Sequence, residues 1–268
     1  MQYLRRDEAE VRKAVEDASY VFVGALERVR SLMCPLARLL QAVTNYWKHV
    51  DKAREIAEGK LMVDAAKAAD IKLFILSSKP SVTNLLKGRL DKVSHCDSKA
   101  EASDYARSTG IRIVDIHVGG RMSNFVSFAK PQSAGDGSYV VAVSWKPECR
   151  MPLIDTYHDA GLFVRLAIES NGFKKGDGKI IFAYAEWVTV GDQVKILSET
   201  LGKKVHYMQM TDEQLSKGMP ERVIDDILQM YRYHEELWGK TYIRSNRENL
   251  ARRPRTFSML TTYPACRQ

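Results

Sequence analysis

The chain has 268 residues, 45% of them hydrophobic, and a formal net charge of +8. That length buries a substantial core in one large or two small domains, and no run of eighteen apolar residues or apolar leader points to a membrane or secreted protein. Seven Lys and Arg against one acidic residue fall in residues 240–268, so the rest of the chain is nearly neutral. This basic tail carries no groove-reading motif, which argues for a solvated or partner-docking segment and against direct nucleic-acid contact.

In chain order, Val11, Ala14, Val15 and Ala18 recur at helical spacing, and "YVFV" at 20–23 reads as a buried strand. Residues 53–69 predict a helix with Ile56, Val63 and Ala66 inward, followed by the strand "IKLFIL" at 71–76. The unit repeats as a helix over 97–109 and the strand "IRIVDIHV" at 111–118. Helices alternating with uninterrupted apolar strands indicate an α/β fold with a doubly wound parallel sheet, because strands covered on both faces lose in-and-out alternation. From residue 119 a smaller α/β lobe is expected. Its strands are "YVVAV", "MPLID", "KIIFAY" and "KVHYM"; its helices run through Ala160–Ala167 and Val194–Leu201 and on from Pro220, with Val223, Ile224, Ile227, Leu228 and Tyr231 on one side.

Candidate chemistry gathers around "SHCDSKAEASDY" at 94–105. His95 and Lys99, four apart, share a helix face, and Ser77 or Ser78 at the carboxyl end of "ILSS" could converge on them, where ligands of doubly wound sheets bind. Surface residues at a helix start are the plainer reading. The cysteines Cys34, Cys96, Cys149 and Cys266 form no C-x-x-C pair, so free thiols and no metal site are expected.

The segments "VTNYWKHVDKAREIAEGKLMVDAAKAADIKLFILSS", "HCDSKAEASDYARSTGIRIVDIHV", "RMSNFVSF" and "MPLIDTYHDAGLFVRLAIES" resemble the NmrA-like family, atypical relatives of the short-chain dehydrogenases, over about residues 7–258. The resemblance implies a Rossmann-like NAD(P)-binding domain over residues 1–118 and a substrate or partner lobe over 119–268. It implies cofactor contacts at Thr44, Asn45, Tyr46, Lys99, Met122, Ser123 and Asn124. The active-enzyme Tyr-x-x-x-Lys becomes His95-x-x-x-Lys99, which leaves Lys99 as a ribose contact and His95, with Ser78, as a catalytic candidate only. A family phosphate-contacting lysine is replaced by Ala57.

Two features depart from that pattern. The first 58 residues hold one glycine, Gly24, so no Gly-rich phosphate loop can be drawn, and NADP or NAD binding is expected to be weak or lost. We read this as a Rossmann half lacking its first strands, which leaves "YVFV" an exposed edge and predicts low stability, oligomerisation or a substitute partner. Residues 24–41 interrupt the resemblance and read as an atypical insertion, with a translated intron as the preferred origin.

The resemblance therefore implies a redox-sensing or transcription-regulatory protein of the nitrogen-metabolite-repression type. Such a protein acts through a protein partner, such as a GATA-type transcription factor, in the cytoplasm or nucleus. The alternatives are an NAD(P)-dependent oxidoreductase acting on a small-molecule substrate, and a shortened product that binds no cofactor.

Overall fold

The computed structural model describes residues 20–24, 39–126, 130–173, 175–237, 246–250 and 252–262. The expected helix over Val11–Ala18, Cys34 and Cys266 lie outside the described residues. The chain divides into two compact units, each discontinuous in sequence. The first comprises Met1–Lys87, Ser94–His117 and Val164–Ile181, and the second Gly88–Val93, Val118–Phe163 and Phe182–Gln268.

The first unit is built on a five-stranded sheet. Its strands are β1 (Tyr20–Gly24), β2 (Leu39–Val43), β3 (Leu73–Ser78), β4 (Ile113–Val118) and β9 (Asp177–Ala183), in that spatial order. β1 pairs parallel with β2, β2 with β3 and β3 with β4, with Tyr20 opposite Leu39, Leu40 opposite Phe74, and Phe74 opposite Ile113. The apolar runs of β3 and β4 are buried almost without interruption, as strands covered on both faces must be.

β2 is a strand that the sequence reading does not predict. Residues 39–41, assigned to the insertion, begin a strand that sits between β1 and β3, and its Leu40 and Ala42 are fully buried. A neighbour of β3 must be apolar and extended, and "LLQAV" satisfies that while "YVFV" takes the end of the described sheet.

Two short helices, α1 (Tyr46–His49) and α3 (Val82–Leu85), and two long ones, α2 (Lys52–Ala68) and α4 (Ser94–Ser108), complete this part of the unit. Asp51 caps α2 by accepting the Arg54 N–H at 2.9 Å, which satisfies one of the free amides of the first turn. The buried face of α2 is Glu55, Gly59, Met62, Val63 and Ala66. Ile56, expected on that face, is only half-buried. Met62, Val63 and Ala66 share one core with Ala102 and Ala106 of α4 and with Leu40, Phe74 and Leu76 of the sheet.

The second unit holds two three-stranded sheets. β5 (Gly120–Arg121), β8 (Arg150–Ile154) and β10 (Glu186–Thr189) form one in the order β10-β8-β5; β6 (Gln132–Ser133), β7 (Tyr139–Val143) and β11 (Val205–Gln209) form the other in the order β11-β7-β6. Helix α5 (Thr156–Glu169) begins in this unit. α6 (Val190–Leu201) starts on a Thr189 cap that accepts the Asp192 N–H at 3.0 Å and stops at Gly202, whose φ of 58° suits glycine. The short α7 (Asp212–Ser216) and long α8 (Glu221–Leu237) follow.

Met122, Trp145, Leu153, Val194 and Phe257 lie in the core of this second unit. The side of α8 expected to be buried is only half-buried at Val223, Ile224, Ile227, Leu228 and Tyr231; Asp226, Tyr233 and His234 are the buried positions. No described helix is long and apolar enough to cross a membrane.

Candidate functional site

In the first unit, polar groups gather where β2 and β3 end and α4 begins. Lys99 projects from the second turn of α4, and its ammonium donates to the Thr44 carbonyl at 2.9 Å, to the Thr44 hydroxyl at 2.8 Å and to a Glu55 carboxylate oxygen. An ammonium has three N–H donors, so all three have protein acceptors. Glu55 is 2% exposed, and its other oxygen accepts from the Ser98 hydroxyl. The pair is nearly dry, with 14% exposure of the Lys99 side chain.

Ser78, 1% exposed, donates its hydroxyl to the Lys99 carbonyl at 3.2 Å, which fixes the end of β3 to α4. The His95 ring lies 5.1 Å from Trp47 at a 37° tilt and 6.1 Å from Tyr46. Tyr46 is buried, Trp47 is 41% exposed, and Asn45 is exposed just before α1 without capping it. Thr44, Tyr46, Ser78, His95 and Lys99 thus belong to one end of the first unit. Met122, Ser123 and Asn124 lie on a 3-10 helix, Met122–Val126, of the second unit; there Met122 is core, Ser123 is exposed and Asn124 lines a cavity.

Three buried acids of this region escape a motif-based reading. Besides Glu55, Asp97 accepts from the Ser81 hydroxyl at 3.1 Å and the Thr83 amide at 3.2 Å, and Lys52 stands 3.6 Å away. It holds the segment after β3 against α4. Asp115 on β4 accepts from the Ser103 hydroxyl and from Arg107; burial pushes its carboxyl above the usual range while both partners pull it back. A carboxylate on the apolar stripe of a helix, as Glu55 stands four residues before Gly59 and eight before Val63, is the sequence signal for such a residue.

His117, at the end of β4, is pushed down to about 3 by burial, with Lys79 and Arg107 adding to the effect. It is neutral at physiological pH. Cys96 is a buried thiol and Cys149 a half-buried one; burial and then Glu235 push the latter up to about 11. Among the described residues no cluster of three or more His, Cys, Asp or Glu is placed to hold a metal.

A parallel sheet flanked by helices, with polar side chains at its strand ends, defines a Rossmann-type α/β protein. The profile of the NmrA-like family matches residues 4–258, and the chain belongs to that family. The nitrogen metabolite repression protein nmr of Neurospora crassa is 29% identical over 156 residues, 56% of this chain; the chain spans only 32% of that relative's length.

Among solved structures, the negative transcriptional regulator NmrA in complex with NADP superposes with a TM-score of 0.71 at 22% identity, covering 88% of this chain and 76% of that one. An NADPH-dependent quinone oxidoreductase of Escherichia coli bound to NADPH gives 0.63 at 15% identity, covering 96% and 80%. At these identities both establish the fold alone.

Proposed function

We propose that this chain acts as an NAD(P)(H)-linked regulator that works through a protein partner, such as a GATA-type transcription factor, and not as a reductase. The observation that carries this reading is the engagement of Lys99. In a reductase the lysine holds the ribose and lowers the pKa of a neighbouring phenol. Here its three donors are taken by Thr44 and Glu55, and the phenol position is His95, packed against Trp47. The lysine secures the loop after β2, while the proton donor that reduction needs is a shorter, differently angled ring.

The residues present fit a dinucleotide in part. Thr44, Asn45 and Lys99 offer hydroxyl, amide and ammonium groups for a ribose, once an acceptor now on Lys99 is exchanged. The glycine turn whose amides would grip a diphosphate is not in the chain's first 58 residues. Binding is therefore weak, and a regulator would read the cofactor only as far as affinities differ between its two states.

Calorimetric titration of the purified chain with NADPH and NADH tests this, alongside NADPH-oxidation assays and partner capture. Saturable binding weaker than about 100 µM, without turnover, supports the regulator. Substrate-dependent NADPH oxidation that disappears in Lys99→Ala would establish the oxidoreductase instead. The likeness to the negative transcriptional regulator NmrA supports a regulator, and that to the quinone oxidoreductase supports the enzyme as the second reading.

A further inference from the structure

The Lys99 ammonium lies at the strand ends where the dinucleotide reading places a ribose, yet the groups that hold it belong to the chain itself. Thr44, which supplies two of its acceptors, and Glu55, which supplies the third, are both buried. The lysine side chain alone keeps partial access to solvent. The ammonium is therefore drawn inward, toward α2 and the loop after β2, by groups that lie deeper than it does.

The three acceptors differ in strength. The Thr44 carbonyl and hydroxyl are neutral, whereas the Glu55 carboxylate sets charge against charge, and such bonds are about twice as strong. The fully buried Ser98 donates its hydroxyl to the other oxygen of Glu55 and so fixes the carboxylate in place. A ribose is a neutral vicinal diol. It offers the ammonium oxygen acceptors but no charge, so it competes with Glu55 at a disadvantage.

We infer that Glu55 is the affinity-determining residue of this cleft: its carboxylate holds Lys99 in a withdrawn state, and a ribose diol binds only to chains in which the ammonium has turned outward. Apparent affinity falls in proportion to the fraction of chains in the competent state. The inference rests on the reading of this cleft as a dinucleotide site. It adds a cause of weak binding separate from the glycine turn, and one that a single substitution removes.

Calorimetric titration of the parent chain and of Glu55→Gln with NADH tests it, with inorganic pyrophosphate as an anion that has no ribose. The variant keeps the size of the side chain: its amide can donate to the Ser98 oxygen while the Ser98 proton turns to the Ser94 carbonyl, 2.7 Å away. Glu55→Gln is expected to bind NADH about tenfold more tightly than the parent, the worth of one charge-assisted hydrogen bond, while pyrophosphate changes little. A purely structural role for Glu55 predicts weaker binding in the variant, so a gain separates the two. Glu55→Asp keeps the charge but is one methylene shorter and reaches Lys99 less well; its affinity should fall between the other two, which keeps the inference testable if the glutamine variant does not fold. NADH binding that Glu55→Gln leaves unchanged or weakens overturns the inference while the dinucleotide reading stands. An equal gain for pyrophosphate also overturns it, because the loss of one negative charge then accounts for the whole effect. No NADH binding by either chain removes the dinucleotide reading, and the inference with it.

Discussion

At Lys99 the carboxylate of Glu55 and both oxygens of Thr44 close around one ammonium, and the energetics of that cluster are asymmetric. Removing one member of a buried pair strands the other charge, whereas removing both leaves apolar surface. Lys99→Met is expected to destabilise the chain by about 3 kcal/mol, the low end of the range for buried pairs because Lys99 keeps 14% exposure. The double variant Lys99→Met, Glu55→Met should be less destabilised than Lys99→Met alone. Urea unfolding of the two variants gives the comparison, and a double variant worse than the single one would show that the pair is not the determinant.

His117 makes a second prediction, on pH. Its folded value of about 3 lies below the ordinary imidazole value of 6.5, so between those limits the unfolded chain takes up a proton that the folded chain refuses. Stability contributed by this residue is complete above pH 6.5 and falls by up to about 1.4 kcal/mol per pH unit as the solution is acidified toward 3. Asp115, whose carboxyl is raised, acts in the opposite sense in acid, so the test is a difference. Thermal melts from pH 7 to pH 4 should fall less steeply for His117→Gln than for the parent chain. Parallel curves would mean that His117 takes up its proton in the folded state.

Between elements, the approach of α2 to α4 is set by a glycine. A Cβ at Gly59 would stand 2.5 Å from the Ala102 Cβ, closer than two carbons can approach. Alanine at an exposed helix site gains about 1 kcal/mol over glycine, but here the contact decides the sign, and overpacking costs about 1–3 kcal/mol. Gly59→Ala is expected to destabilise, and adding Ala102→Gly should restore part of the loss. Additive effects in that cycle, read by chemical denaturation, would refute a direct clash.

What the sequence discloses follows from the same contacts. α2, β3, α4 and β4 are legible because long apolar runs and helical periodicity report burial directly. β2 is not, because its five residues follow a basic, proline-containing stretch and their strand character comes from pairing with β1 and β3. Lys99 and Thr44 can be placed through a known motif. Glu55 and Asp97 belong to no such motif, and their roles emerge only when helices from distant parts of the chain meet.

For the molecule as a whole, the first unit's sheet ends at β1 among the described residues, and no described strand pairs with its outer side. Natural sheets cover, charge or pair such an edge, and "YVFVG" carries no charge to blunt it. Concentration-dependent self-association through β1 is therefore expected. Light scattering coupled to size-exclusion chromatography should give a mass that rises above 30.4 kDa with loading concentration. Val21→Lys, which places a cation on that strand, should return the mass toward the monomer while leaving the far-UV circular dichroism unchanged, because a lysine on an edge opposes a second strand more than it disturbs the first. A monomer at every concentration in the parent chain would mean that the edge is covered by the chain itself, and self-association that survives Val21→Lys unaltered would place the contact elsewhere.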